Sequence, residues 1–167
     1  SGKIHTPLSV VYTPLHGVGE GTFLSAVHSA GMPAVHVVES QAKPDPKFPT
    51  VAFPNPEEKG ALDLSFELAR EVKADLILAN DPDADRLAVA LPDPNSPAEY
   101  KALTGNQLGA ILGWFMAKRA VERGTTGALA NSLVSSPVLG KIATHYGLTH
   151  VETLTGFKYV SRVPELI

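Results

Sequence analysis

The chain has 167 residues, 44% of them hydrophobic and 19% charged, so it can bury a core and is not a disordered tail. A formal net charge of -3 gives no electrostatic reason to bind nucleic acid or an anionic membrane, and the lack of cysteine removes disulfides and thiolate metal sites. No apolar run approaches the roughly 18 residues of a membrane span, and no signal peptide is readable, so a soluble, cytoplasmic α/β protein of one or two small domains is expected.

Residues 9–15, SVVYTPL, are β-branched and apolar and lead into the glycine-rich HGVGEG of residues 16–21. TFLSAVHSAG then places Phe23, Leu24, Val27 and His28 on one helical face, with Gly31 as a stop. AVHVVES (34–40) is the next predicted strand, and strand, turn, helix, strand predict a βαβ unit with a parallel pair. Residues 41–60 carry five of the 14 prolines, too long a stretch for a plain connector. A helix is predicted from Asn55 as N-cap and Pro56 at its first position to about Val72. DLILA (75–79) and RLAVAL (86–91) read as buried strands. PDPNSPAEY (92–100), with three prolines, reads as a boundary. Beyond it Thr104 and Gln107 form a capping-box pair before a helix whose Leu108, Ile111, Leu112, Phe115 and Met116 make an apolar stripe. A strand in GALANSLVSS, a helix opened by Ser136-Pro137 and closed by Gly147, and a short strand in HVETL complete the series.

The most informative stretch is NDPDADR, residues 80–86, between two predicted strands. Asp81, Asp83 and Asp85 alternate and repel; one such pair at about 4 Å costs on the order of 4 kcal/mol at an effective dielectric near 20. A tight loop holds them together only with a cation or several donors, and oxygen-only ligands favour Mg²⁺ or Ca²⁺. An EF-hand needs glycine at its sixth position and glutamate at its twelfth, where this chain has Arg86 and Pro92. An Asp-x-Asp phosphatase nucleophile leaves Asp85 and Arg86 unexplained. A solvated turn fits poorly at the edge of a core. A Mg²⁺ loop is therefore favoured, with Arg86 as a donor fork for phosphate oxygens, and this pairing points to phosphoryl transfer.

HGVGEG admits two local readings, a helix N-terminus offering amides to an anion and a simple tight turn. As a dinucleotide fingerprint it fails at the last glycine, where Thr22 stands. The six histidines, His5, His16, His28, His36, His145 and His150, have no zinc-helix spacing. Lys158 in TLTGFKYV follows a Thr-Gly turn, a position that suits either a solvated lysine or one facing an anion.

NDPDADRLAVA and TGFKYV, with HGVG, FPTVAFPNPEEKGALDLSF and TGNQLGAILGW, resemble the α-D-phosphohexomutase superfamily, closest to its phosphoglucomutase-2-like and phosphopentomutase branch. The resemblance implies three-layer α/β/α domains with mixed, largely parallel sheets: a second domain at 1–99 and part of a third at 100–167. It implies an isomerase that moves a phosphoryl group between hydroxyls of glucose, mannose or pentose phosphate through a phosphoserine and Mg²⁺. Asp81, Asp83 and Asp85 would be the metal ligands, Arg86 would face a phosphate, and Lys158 the sugar phosphate. The family's phosphoserine segment, of T-A-S-H-N-P type, does not occur in these residues. The remaining domains of a parent enzyme are thus expected partners, and the isolated chain is expected to be inactive. A stand-alone Mg²⁺- or anion-binding module and, more distantly, a dinucleotide-binding domain are the alternative functions.

Overall fold

The computed structural model describes residues 8–32 and 34–165, which divide into two compact units with the boundary between Thr104 and Gly105. His5 lies outside the described residues.

The first unit contains β1 (Ser9–Thr13), α1 (Glu20–Ser29), β2 (Ala34–Val37), α2 (Glu39–Ala42), α3 (Asp63–Val72), β3 (Leu76–Asn80), β4 (Leu87–Pro92) and β5 (Tyr100–Ala102). Its five strands form one mixed sheet in the order β2-β1-β3-β4-β5. Strand β1 runs parallel to β2 and β3, while β4 is antiparallel to β3 and β5 to β4. The expected βαβ unit is present. Val10, Val11 and Tyr12 are fully buried, as a strand covered on both faces requires. Val11 joins Ala69 of α3 and Ile77 of β3 in one apolar cluster, whereas Tyr12 stacks on Phe23 of α1 at 3.7 Å between ring centroids. Successive strand residues face opposite sides of a sheet, so α1 and α3 cover opposite faces and the unit has three layers.

The chain leaves β1 for β2 on one side and later returns to β3 on the other. The connections therefore reverse direction between β1 and β3, whose C-terminal ends lie side by side. Open α/β sheets bind ligands at such a switch point. HGVGEG follows β1 and NDPDADR follows β3, so topology alone brings these two segments to the same edge.

Several local expectations are corrected. The predicted helix start at Asn55 is instead a turn, in which Glu57 N–H donates to Asn55 Oδ1 at 3.1 Å. A helix cannot run through Gly60, whose φ is +86°, and α3 begins only at Asp63. The strand expected over 34–40 ends at Val37, and Glu39–Ala42 turn into α2. Within the proline-rich break, Tyr100–Ala102 form β5 on the first sheet, and the Tyr100 hydroxyl reaches the carbonyls of Ala74 and Ala69 at 2.7 and 3.0 Å.

The second unit contains α4 (Gly105–Glu122), β6 (Ala128–Ser132), α5 (Val138–Tyr146), β7 (Thr149–Thr153), α6 (Phe157–Val160) and a short 3₁₀ turn at Val163–Glu165. Strands β6 and β7 pair in parallel. Gly147, with φ +67°, ends α5 as expected. The stripe assigned to α4 does not pack as predicted: Ile111, Leu112, Phe115 and Met116 are exposed, and the buried positions are Gly113 and Ala117. A Cβ on Gly113 would overlap Leu139 of α5, so the helices meet through small residues. A two-stranded sheet offers too little area to cover a wide stripe.

Candidate metal site

Asn80 and Leu87 are paired residues of β3 and β4, so both ends of the loop at residues 81–86 are pinned to one hairpin. Asp81, first in the loop, is fully buried, while Asp83, Asp85 and Arg86 are exposed. Ala84 N–H donates to the Asp81 carbonyl at 2.9 Å, and Ala84 takes a left-handed φ of 59° to make that turn. The fold brings the three aspartates together, with one carboxylate oxygen from each lying within 4.8 Å of the others.

Arg86 supplies the compensation that the repulsion requires. Its N–H donates to Asp81 Oδ1 at 3.0 Å, its Nε to Asp81 Oδ2 at 2.6 Å, and the same Nε lies 3.5 Å from Asp85 Oδ1. Burial pushes the Asp81 carboxyl up, but the backbone and side-chain hydrogen bonds from Arg86 prevail and hold it below the usual aspartate range. Asp85 moves the other way: its contact with Asp81, together with the neighbouring negative charges, raises it. The Arg86 guanidinium is held protonated more firmly, chiefly by its bond to Asp81.

The donor set fits a hard divalent cation. All ligand atoms are carboxylate oxygens, and a carboxylate offers about four lone-pair positions, so the two Arg86 bonds leave Asp81 able to coordinate. The loop also has outer supports. Asn80 Nδ2 donates to the Arg86 carbonyl at 2.7 Å, and the Tyr12 hydroxyl donates to Asn80 Oδ1 at 3.0 Å. Reading the motif by its charges alone misses Tyr12 and Asn80, which only the β1–β3 pairing brings together.

The glycine turn does not present an open cradle. Val18 N–H donates to the Pro82 carbonyl at 2.9 Å, and Gly17 and Gly19 lie against Pro82 and Ala84. Among the histidines, His16 is buried with Nε2 at 2.7 Å from Thr50 Oγ1, and His150 Nε2 is 2.7 Å from Asn131 Oδ1. Lys158 belongs to the second unit, on α6 just after Gly156, whose φ is +127°. It is exposed, and its Nζ lies 4.9 Å from the Tyr159 ring centroid. Ser136 keeps its expected place at a helix start, where its Oγ accepts from Val138 N–H at 3.3 Å.

Comparison with known proteins gives the family of the chain. Residues 3–94 match the family model for phosphoglucomutase/phosphomannomutase, alpha/beta/alpha domain II, and residues 104–163 the model for its alpha/beta/alpha domain III. The chain is 52% identical over 160 residues to a probable phosphomannomutase of Haemophilus influenzae, covering 96% of this chain and 32% of that protein. It is 44% identical over 170 residues to human phosphopentomutase, covering 97% of this chain and 28% of that protein. In fold it resembles the crystal structure of a phosphoglucomutase/phosphomannomutase family protein from Burkholderia thailandensis, with a TM-score of 0.75 and 19% identity over 98% of this chain and 33% of that one. The chain thus spans about a third of the length of the relatives it matches. With both family models matched in order along nearly its whole length, it belongs to the phosphoglucomutase/phosphomannomutase family.

Proposed function

We propose that this chain carries the Mg²⁺ site and a phosphate-facing lysine of a phosphosugar mutase, an isomerase that moves a phosphoryl group between the C1 and C6 (or C5) hydroxyls of a sugar phosphate. The observation that carries the reading is the convergence of Asp81, Asp83 and Asp85 oxygens beside Arg86 at the sheet's switch point. The three aspartates hold Mg²⁺, which when bound neutralises charge on the phosphate being transferred. Asp81 anchors the set from its buried position, and Arg86 keeps it ionised while offering an exposed guanidinium to phosphate oxygens. Lys158, in its T-G-F-K context, faces the phosphate of the bound sugar. The phosphoserine that donates and regains the phosphoryl group belongs to another part of the parent enzyme. Glucose, mannose and pentose phosphates are the substrate class. A cytoplasmic, phosphoprotein enzyme of carbohydrate metabolism follows from this reading. Among the described residues no helix is long and apolar enough to cross a membrane.

The test is conversion of glucose 1-phosphate to glucose 6-phosphate in the presence of a bisphosphate activator. The parent protein is expected to turn over, to lose activity on Asp83→Ala, and to outperform the 167-residue chain alone, which is expected to be inactive. If the parent converts no hexose or pentose phosphate while this chain still binds Mg²⁺, the mutase reading gives way to a stand-alone metal-binding module. The isolated chain should bind Mg²⁺ more weakly than micromolar, because the phosphoserine oxygen is missing from the coordination sphere.

A further inference from the structure

The turn that joins β1 to α1 has two features that a simple connector does not need. Leu15 and His16 both hold left-handed backbone angles, φ 46° and 59°, in residue types that disfavour them. That pair is fixed from several directions. His16 N–H donates to the Gln41 carbonyl at 2.9 Å, the His16 carbonyl accepts from Asp45 N–H at 3.1 Å, and Leu15 N–H donates to Thr13 Oγ1 at 3.1 Å. The side chains of Thr13, Gln41, Thr50 and His16 form a continuous hydrogen-bonded row with spacings of 2.6, 2.9 and 2.7 Å.

The turn fixed in this way presses against the aspartate loop through main chain. Gly17 and Gly19 do not have positive φ, so backbone freedom does not explain them. Close approach does. A Cβ on Gly17 would overlap the Cα and carbonyl of Pro82, the residue between Asp81 and Asp83. A Cβ on Gly19 would come within 2.9 Å of the Tyr12 hydroxyl and 3.1 Å of Ala84 Cβ. Gly21, in the same motif, has open space for 4 Å around the place a Cβ would take, and marks where the requirement stops.

We propose that the turn Leu15–Gly19, with Tyr12 and Asn80, is the positioning element of the metal loop: it sets the spacing of the three carboxylates from outside the loop. This rests on the reading of Asp81, Asp83 and Asp85 as metal ligands. Admitting a Cβ at Gly17 requires Pro82 to retreat by on the order of 1 Å to reach ordinary carbon–carbon contact. Mg²⁺ demands near-ideal octahedral ligands, and a site tolerates only about 0.5 Å of error. Loss of such outer support typically lowers metal affinity by about 10- to 100-fold.

The experiment titrates the whole 167-residue chain with Mn²⁺, an oxygen-seeking stand-in for Mg²⁺, reading free Mn²⁺ by electron paramagnetic resonance. Thermal unfolding of each variant is followed in parallel. Gly17→Ala is expected to weaken Mn²⁺ binding at least about tenfold. Gly21→Ala should leave it unchanged. Tyr100→Phe, which removes the hydroxyl contacts to Ala69 and Ala74, should lower the unfolding temperature without changing Mn²⁺ affinity, separating positioning from general stability. A folded Gly17→Ala chain that binds Mn²⁺ as well as the parent sequence overturns the inference. If Gly17→Ala does not fold, Tyr12→Phe decides, because it adds no atom and removes only the hydroxyl bond to Asn80: weakened binding supports the inference and unchanged binding overturns it. Failure of the unaltered chain to bind Mn²⁺ at millimolar concentration overturns the metal reading itself.

Discussion

Replacing the loop aspartates one at a time in metal-free protein should give unequal costs, because the three carboxylates have unequal surroundings. Asp81 is buried and takes two hydrogen bonds from Arg86, one from backbone and one from the guanidinium. Charge-assisted hydrogen bonds contribute about 1.5–3 kcal/mol each, but the Arg86 side chain is 57% exposed, so solvent screens the second one. Asp81→Ala also strands the Arg86 N–H. The sum predicts a loss of about 2–3 kcal/mol. Asp83→Ala and Asp85→Ala remove exposed charges that repel their neighbours and should leave stability close to that of the parent sequence. The measurement is urea unfolding in EDTA, with amide exchange of β1 and β3 reporting on the first unit, since Trp114 reports on the second. The folded-state pKa of Asp81 is lowered, so its contribution is fully present above the unfolded aspartate value and is lost as pH falls through the folded one. The gap between Asp81→Ala and the parent sequence should therefore be full at neutral pH and close in acid. An Asp81→Ala chain no less stable than Asp85→Ala at neutral pH would refute the view that Arg86 compensates the loop through Asp81.

Three further outcomes are expected. Burial, with the charge of Glu20, pushes the Tyr12 phenol up from 10.0 to about 12, so the first unit should keep this contribution below pH 10 and lose it as pH rises through about 12; Tyr12→Phe should abolish that alkaline step in a pH-unfolding series. Gly147→Ala places a side chain at φ +67° and should destabilise the second unit by about 1–2 kcal/mol, read by Trp114 fluorescence in urea, although nothing lies within 4 Å of the added Cβ. Amides of β6 and β7 should exchange faster than those of β1 and β3, because a two-stranded sheet beside an α4 with exposed Ile111, Leu112, Trp114, Phe115 and Met116 has little to protect it; equal protection would refute this.

Much of the first unit was legible because its signals are local. β-branched runs gave β1 to within two residues, and in the second unit the equally local signal of Gly147 closed α5 where expected. The convergence of Asp81, Asp83 and Asp85 was legible because carboxylates at alternate positions of one tight loop have to lie near one another. What failed depended on backbone conformation or on neighbours distant in sequence. Asn55-Pro56 has the local grammar of a helix start, but the left-handed Gly60 postpones the helix to Asp63. The apolar residues of α4 repeat at helical spacing, yet Gly113 and Ala117 are the buried positions because α5 comes close. The HGVGEG segment admits an anion-binding helix start or a simple tight turn when read locally, and neither reading contains its nearest partner, Pro82, far along the chain and brought there by the pairing of β1 with β3. The burial of Asp81 and the exposure of Asp83 and Asp85 likewise came only with the hairpin.

The absence of space beside Gly17 has a bearing on how variants of this chain are judged. A change there would leave every letter of NDPDADR intact, so a search by that signature would still score the site as whole. A charge-swapped loop residue announces its damage, whereas an added methyl group on a neutral, distant position would pass unnoticed. On the proposed reading, intactness of the acidic signature and the spacing of its carboxylates are separate properties, and they meet where the Gly17–Gly19 turn presses on Pro82 and Ala84.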